Sequence, residues 1–191
     1  MELQDFLNFI NSSSFLNQIE LSKIPNINLY MDQALTFMNE NLYSNNTHDK
    51  ALTKSMINNY VKNNLMPKPE NKKYFPEHII TLIYIFYMKQ SLSLDDVKLI
   101  CQKYTDKHFN YEDMSMLYNI FLSIEKSESE KLEDEVRALA SSLYSNESCK
   151  ELDNNEILFL LILLLSSRAN TYKTIIEKLL HYNSENLLPN K

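Results

Sequence analysis

Not one glycine occurs in this chain of 191 residues, and the absence closes off whole classes of site. P-loops, dinucleotide fingerprints and nucleophile elbows all need glycine, where backbone must pass close to a ligand or take a left-handed turn. Apolar residues instead recur with the spacing of a helix, about 3.6 residues per turn, through most of the chain. Hydrophobic residues at 44 % and charged residues at 23 % are ordinary globular proportions, so a folded core is expected rather than disorder. The length suits one domain with appendages or two small domains.

Clear start signals punctuate the helical segments. Leu3, Phe6, Leu7 and Ile10 share one face of a short opening helix, Ser12 to Ser14 end or restart it, and Pro25 closes a second piece. Residues 29–42, LYMDQALTFMNENL, place Tyr30, Ala34, Leu35, Phe37, Met38 and Leu42 broadly on one side behind Asn28 as a cap, which predicts a helix. Residues 44–49, SNNTHD, form a polar loop. Thr53 is the N-cap of a helix predicted over 54–63, with Met56, Ile57, Tyr60 and Val61 as its apolar face. Pro67 and Pro69 forbid helix, and MPKPENKKYF has room for two short extended arms around Glu70 and Asn71.

Pro76, at a first helical position and followed by Glu77, opens HIITLIYIFYMK, which is apolar nearly all round and is expected to be the central core helix. Ser93 and Asp96 start an amphipathic helix that ends near Tyr104, with Leu94, Val97, Ile100, Cys101 and Tyr104 as its stripe. Asn110 and Asp113 open the next. Residues 127–144 carry Leu132, Val136, Leu139, Ala140 and Leu143 with acids opposite. Asp153 and Glu156 cap the run ILFLLILLL, residues 157–165, which is too short to cross a bilayer and reads as a buried helix. Residues 170–181 form the last helix.

Charge is distributed unevenly. The chain carries a net −6, yet residues 50–75 hold six lysines and one acid, and residues 125–156 hold ten acids and four basic residues. Two regions of opposite sign suggest different tasks. In the basic region, Lys54, Ser55, Asn58, Asn59 and Lys62 line the polar face of the helix over 54–63, and Lys68, Lys72 and Lys73 lie in the proline-bounded arms. Asparagine can bond an adenine edge in two places, while lysine and serine meet phosphate. A solvated polar face is the alternative for those same residues.

The order helix, polar loop, helix, extended hairpin, apolar helix, amphipathic helix resembles a MerR-type winged helix-turn-helix. The residues INNYVKNNLMPKPENKKYFPEHI and SLSLDDVKLI carry the match, with Tyr60, Leu65, Pro67, Lys72 and Tyr74 in register. Asn58 and Asn59 stand where typical MerR proteins have an arginine and an aromatic, and Asn64 stands at the turn glycine, a position asparagine can occupy. Residues 29–140 also resemble an uncharacterised group from low-G+C Gram-positive bacteria, catalogued as a domain of unknown function and described as predicted transcriptional regulators.

The resemblance implies an all-α protein: an N-terminal helical arm over 1–27, a MerR-like winged helix-turn-helix with a small two-stranded wing over 28–104, and a C-terminal helical bundle over 105–191. It implies a DNA-binding transcriptional regulator whose partners are double-stranded DNA and a second copy through the C-terminal helices. The implied DNA-binding residues are Lys54, Ser55, Asn58, Asn59, Lys62, Lys68, Lys72 and Lys73. Two further roles stay open: an interaction module that keeps the fold without binding DNA, and an accessory protein of recombination or of a phage.

No catalytic residue, cofactor or metal site is expected. Cys101 and His108 lie seven residues apart without a third ligand nearby, and Cys101 falls on an apolar stripe, so a buried thiol is the better reading. His48, His78 and His181 read as surface or capping residues. The acids around Glu128 to Glu135 read as a solvated helix face. Two cysteines without a CxxC spacing and an acidic start, MELQDFLNFI with two acids and no lysine, suggest the cytoplasm and no membrane.

Overall fold

A computed structural model describes residues 3–12, 18–42 and 51–186. Among them are seven α-helices and one two-stranded antiparallel sheet: α1 (Leu3–Ser12), β1 (Leu29–Tyr30), α2 (Met31–Leu42), α3 (Lys54–Lys62), β2 (Lys73–Tyr74), α4 (Pro76–Lys89), α5 (Leu94–His108), α6 (Tyr111–Ser145) and α7 (Asn154–Asn186). Two compact units result, one spanning Phe15–Glu125 and the other Met1–Ser14 with Lys126–Lys191. The division falls inside α6. Lys50 and His48 lie outside the described residues.

In the unit Phe15–Glu125, α4 is the core helix, as its sequence suggests. His78 to Ile83 and Ile85 are all buried, because a segment apolar on every side has no face to give to water. Packed on it are α2, β2 and α5. α2 buries Ala34, Met38 and Leu42, one residue per helical turn on a single face. α5 starts where Ser93 predicts, its hydroxyl accepting the Asp96 N–H at 3.2 Å, but runs on to His108. Tyr118 anchors the first turns of α6 by donating its hydroxyl to the Ile19 carbonyl at 2.7 Å.

Two local expectations are corrected here. Leu29 and Tyr30 are not the first turn of a helix: they form β1, pairing Leu29 with Tyr74 and Tyr30 with Lys73, and the helix begins at Met31. The sheet buries Leu29 and Tyr74 on one face and turns Tyr30 outward, and a strand alternates its side chains in this way where a helix does not. Nor do residues 18–24 form a helix closed by Pro25. They make one 3-10 turn, Leu21–Lys23, because the residue before a proline is pushed to extended backbone and Ile24 adopts φ −67°, ψ 124°.

In the other unit, Phe6 of α1 is buried with Ala140 of α6 and Leu161 of α7, and Leu7, Val136, Leu139, Leu143 and Leu165 pack around them. The stripe expected over residues 132–143 is therefore realised, apart from Leu132, which is exposed. The two pairs of helices expected beyond residue 110 are each one helix. Within α7 the residues between the two expected helices stay helical. Thr171 and Thr174 donate their hydroxyls to the carbonyls of Ser167 and Asn170 four residues back, so these side chains join the helix instead of ending it.

The apolar run 157–165 is not buried all round. Ile157 and Leu161 face the core, while Phe159, Ile162 and Leu163 are 66 %, 55 % and 53 % exposed. α7 is packed on one side only, and a run apolar on every side then has to leave part of itself in water.

Candidate nucleic-acid interface

α3 is fixed at its start by two side chains. Asn39 of α2 clamps the backbone of Leu52, donating to its carbonyl at 3.0 Å and accepting its N–H at 2.9 Å. The next residue, Thr53, accepts the Met56 N–H on its hydroxyl at 3.2 Å and so satisfies one open donor of the first turn. Ile57 and Tyr60 then point into the core. Lys54, Ser55, Asn58, Asn59 and Lys62 are all exposed on the other side. Met56, expected inward, is exposed as well, and Val61 is half-buried.

Those exposed donors differ in what else they hold. Lys54 lies 4.0 Å from Asp32, with both side chains well exposed, so the pair restrains it little. Asn59 accepts from the Asn63 amide at 2.7 Å through its side-chain oxygen, which fixes its orientation along the helix. Asn58 and Lys62 extend into solvent.

The helix ends in a hydrogen-bonded lock. Asn64 takes φ 57° and the Leu65 N–H reaches back to the Tyr60 carbonyl at 2.9 Å, while Asn64 N–H bonds the Val61 carbonyl at 3.2 Å. This is the Schellman arrangement, closed by the buried side chains of Tyr60 and Leu65. Asparagine fills the left-handed position as the sequence suggests. A two-residue loop follows: Glu70 and Lys73 bridge, with Lys73 N–H on the Glu70 carbonyl at 2.8 Å, and Asn71 and Lys72 between them at φ 49° and φ 62°. Two positive φ angles in such a loop are the pattern of a type I′ turn.

Lys68 and Lys72 are exposed, and Lys73 is half-buried with its Nζ 5.5 Å above the Tyr30 ring. The two extended arms expected around Glu70 and Asn71 are reduced to this single bridge, and the wing's longer pairing is with β1. All eight sequence-predicted residues thus lie in the unit Phe15–Glu125: five on α3, Lys73 on β2, and Lys68 and Lys72 in the loop between them, with α3 and β2 both resting on α2.

Tyr30 is a surface residue that periodicity missed. It is 55 % exposed beside Lys73. A signal for it exists: Gln33 stands three residues on, and its side chain accepts the Tyr30 N–H at 2.9 Å, the back-bond that marks a helix start at Met31.

His78 lies beneath the wing. Its Nδ1 accepts the Phe75 N–H at 3.1 Å, and the rings of Tyr74, Phe75 and Phe109 surround it at 4.7 to 5.7 Å. Because Nδ1 accepts, the proton sits on Nε2, which is buried and makes no well-aligned hydrogen bond, only weak approaches to the Pro67 and Lys68 carbonyls. Burial lowers the imidazole to about 4, against the opposing pull of the Pro67 and Lys68 carbonyls at the foot of the wing. His78 is therefore a capping residue, as expected, but an interior one. His181 is exposed.

Cys101 is buried and its thiol is pushed up to about 12 by desolvation, which makes it an inert core residue. His108 turns to Asp113 at 3.0 Å, and this hydrogen bond with that of Asn110 holds the Asp113 carboxyl below its usual range. Among the described residues no group of three His, Cys, Asp or Glu side chains is placed to hold a metal, and no helix is long and apolar enough to cross a membrane.

A family model described as a domain of unknown function, DUF1836, matches residues 19–121. No curated protein and no solved structure matches the chain.

Proposed function

We propose that this chain, which belongs to the DUF1836 family, is a DNA-binding regulator with a MerR-like winged helix-turn-helix. The outer face of α3 enters the major groove, and the loop 67–73 lies along the phosphate backbone. One observation carries the reading. Apart from Met56, the exposed side of α3 carries hydrogen-bond donors, Lys54, Ser55, Asn58, Asn59 and Lys62, on a helix locked at both ends, and such rigidity lowers the ordering cost of binding.

Asn58 offers an amide to an adenine edge, and Lys54, Lys62, Lys68, Lys72 and Lys73 supply sequence-independent attraction. The net −6 does not oppose this, because at physiological salt the Debye length of about 8 Å screens distant acids. A homodimer through the C-terminal helices belongs to the same reading, as does work in the cytoplasm.

Fluorescence anisotropy on DNA from upstream of the gene tests the proposal. Neutralising about four to six phosphates gives a log-log salt slope of roughly −4 to −5. Lys62→Ala and Lys72→Ala weaken every duplex alike, while Asn58→Ala costs about 1–3 kcal/mol on the preferred site and nothing on random DNA. Absence of binding at low salt sinks the proposal. It would leave the second reading, an interaction module, which the exposed apolar side chains of α7 favour.

A further inference from the structure

α7 changes character along its length. Its first half buries Ile157 and Leu161, Leu165 packs on the cluster of Phe6, Ala140 and Leu161, and Arg168 then binds Glu135 of α6. Leu161, Leu165, Arg168, Tyr172, Ile175 and Leu179 follow one another at intervals of 4, 3, 4, 3 and 4 residues, the repeat of helices that pair along a seam. That seam is covered as far as Arg168 and open beyond it. Tyr172, Ile175 and Leu179 are 58 %, 47 % and 62 % exposed, and Leu132, three residues before Glu135 on α6, is 46 % exposed.

We infer that a second copy of this chain covers the open half of the α6–α7 seam, so that two α6–α7 pairs close into a four-helix arrangement. This specifies the homodimer of the reading above and rests on that part of it, not on DNA contact.

Three observations select a second copy over a foreign helix. The open stripe continues, in register, a seam the chain already closes with itself. The flanking charges are self-complementary even outside the Arg168–Glu135 pair of one chain: residues 169–180 hold two lysines and one acid, and residues 126–134 hold four acids and two lysines. A twofold arrangement lets each basic α7 half meet an acidic α6 stretch, which steers like chains together. The third is area. The open apolar side chains expose roughly 450 Å² per chain, and at an apolar share near 65 % a twofold interface of about 1,400 Å² results, within the usual range for stable association.

Light scattering coupled to gel filtration on the full chain tests the inference. The expected mass is twice the 22.6 kDa of one chain. Ile175→Glu and Leu179→Glu return the single-chain mass with helical circular dichroism unchanged, while Phe159→Ser, on another side of α7, leaves it doubled. Lys173→Glu with Lys178→Glu, both exposed, weakens the dimer by about tenfold with helical circular dichroism unchanged.

A single-chain mass for the unaltered protein up to 100 µM, a scale at which even weak specific pairs form, overturns the inference. So does a doubled mass that survives both stripe substitutions. The DNA reading is tested separately: a single-chain mass beside intact DNA binding sinks the dimer alone, and a doubled mass without DNA binding sinks the other.

Discussion

Lys72 occupies φ 62° at a loop position where glycine would sit without strain. For a residue with a Cβ that conformation costs roughly 1–2 kcal/mol, and backbone strain of this kind is commonly kept where a side chain has work to do. Two effects of opposite sign follow for Lys72→Gly. Urea denaturation should show a gain of about 1 kcal/mol, while under the proposed function affinity for DNA falls and its salt slope becomes shallower by about 0.9. A loss of stability would show that the loop holds no strain. Asn64 sits in the same region of backbone space and was legible through the resemblance, which puts it at a turn glycine, a position asparagine tolerates. Lysine announces nothing of the kind, so the strain at Lys72 became visible only in three dimensions.

His78 makes the same point for a titrating group. Its folded value is depressed from the ordinary 6.5 to about 4 by burial, so below pH 6.5 the unfolded chain takes up a proton that the folded chain resists. Its contribution is present in full above pH 6.5 and is lost as pH falls toward 4. The urea midpoint should decline over that window, and His78→Phe should flatten the decline. An unchanged slope would place the acid sensitivity elsewhere. The local sequence signals only part of this burial: Tyr74 and Phe75 are near neighbours along the chain, but the third ring, Phe109, arrives from far beyond them.

At the scale of elements, α3 was legible down to its cap, because Thr53 and the spacing of Ile57 and Tyr60 are local signals. What aims it was not. Asn39 lies thirteen residues before Leu52 and fixes that backbone through two hydrogen bonds. Asn39→Ala leaves both Leu52 groups unpartnered in a partly buried site, which should cost about 1–3 kcal/mol in chemical denaturation. Asn39→Asp, which keeps the acceptor but not the donor, should fall between. β1 was misassigned because two residues are too few to show alternation, and their strand character comes from a partner more than forty residues away. The breaks expected within α6 and α7 failed for another reason: serine and threonine weaken a helix only when nothing continues it, and here neighbouring turns do.

For the molecule as a whole, the division into an α4-centred unit and a long-helix unit separates two kinds of surface. The first presents donors and lysines on α3 and the wing; the second presents apolar stripes on α7. The N-terminal arm contributes to both, with Ile19 bonded through its carbonyl to Tyr118 in one and Phe6 buried in the other.

The sequence by itself determined that the chain is helical, that α4 is its core, where most helices start, and that a polar lysine-bearing face precedes a proline-bounded wing. These follow from periodicity, capping residues and proline, all of which act between neighbours along the chain. Only the tertiary structure decided that Leu29 and Tyr30 are a strand, that His78 is interior, and that half of the most apolar segment faces outward. Burial and strand pairing depend on what arrives from far away in the chain, and local spacing carries no record of it.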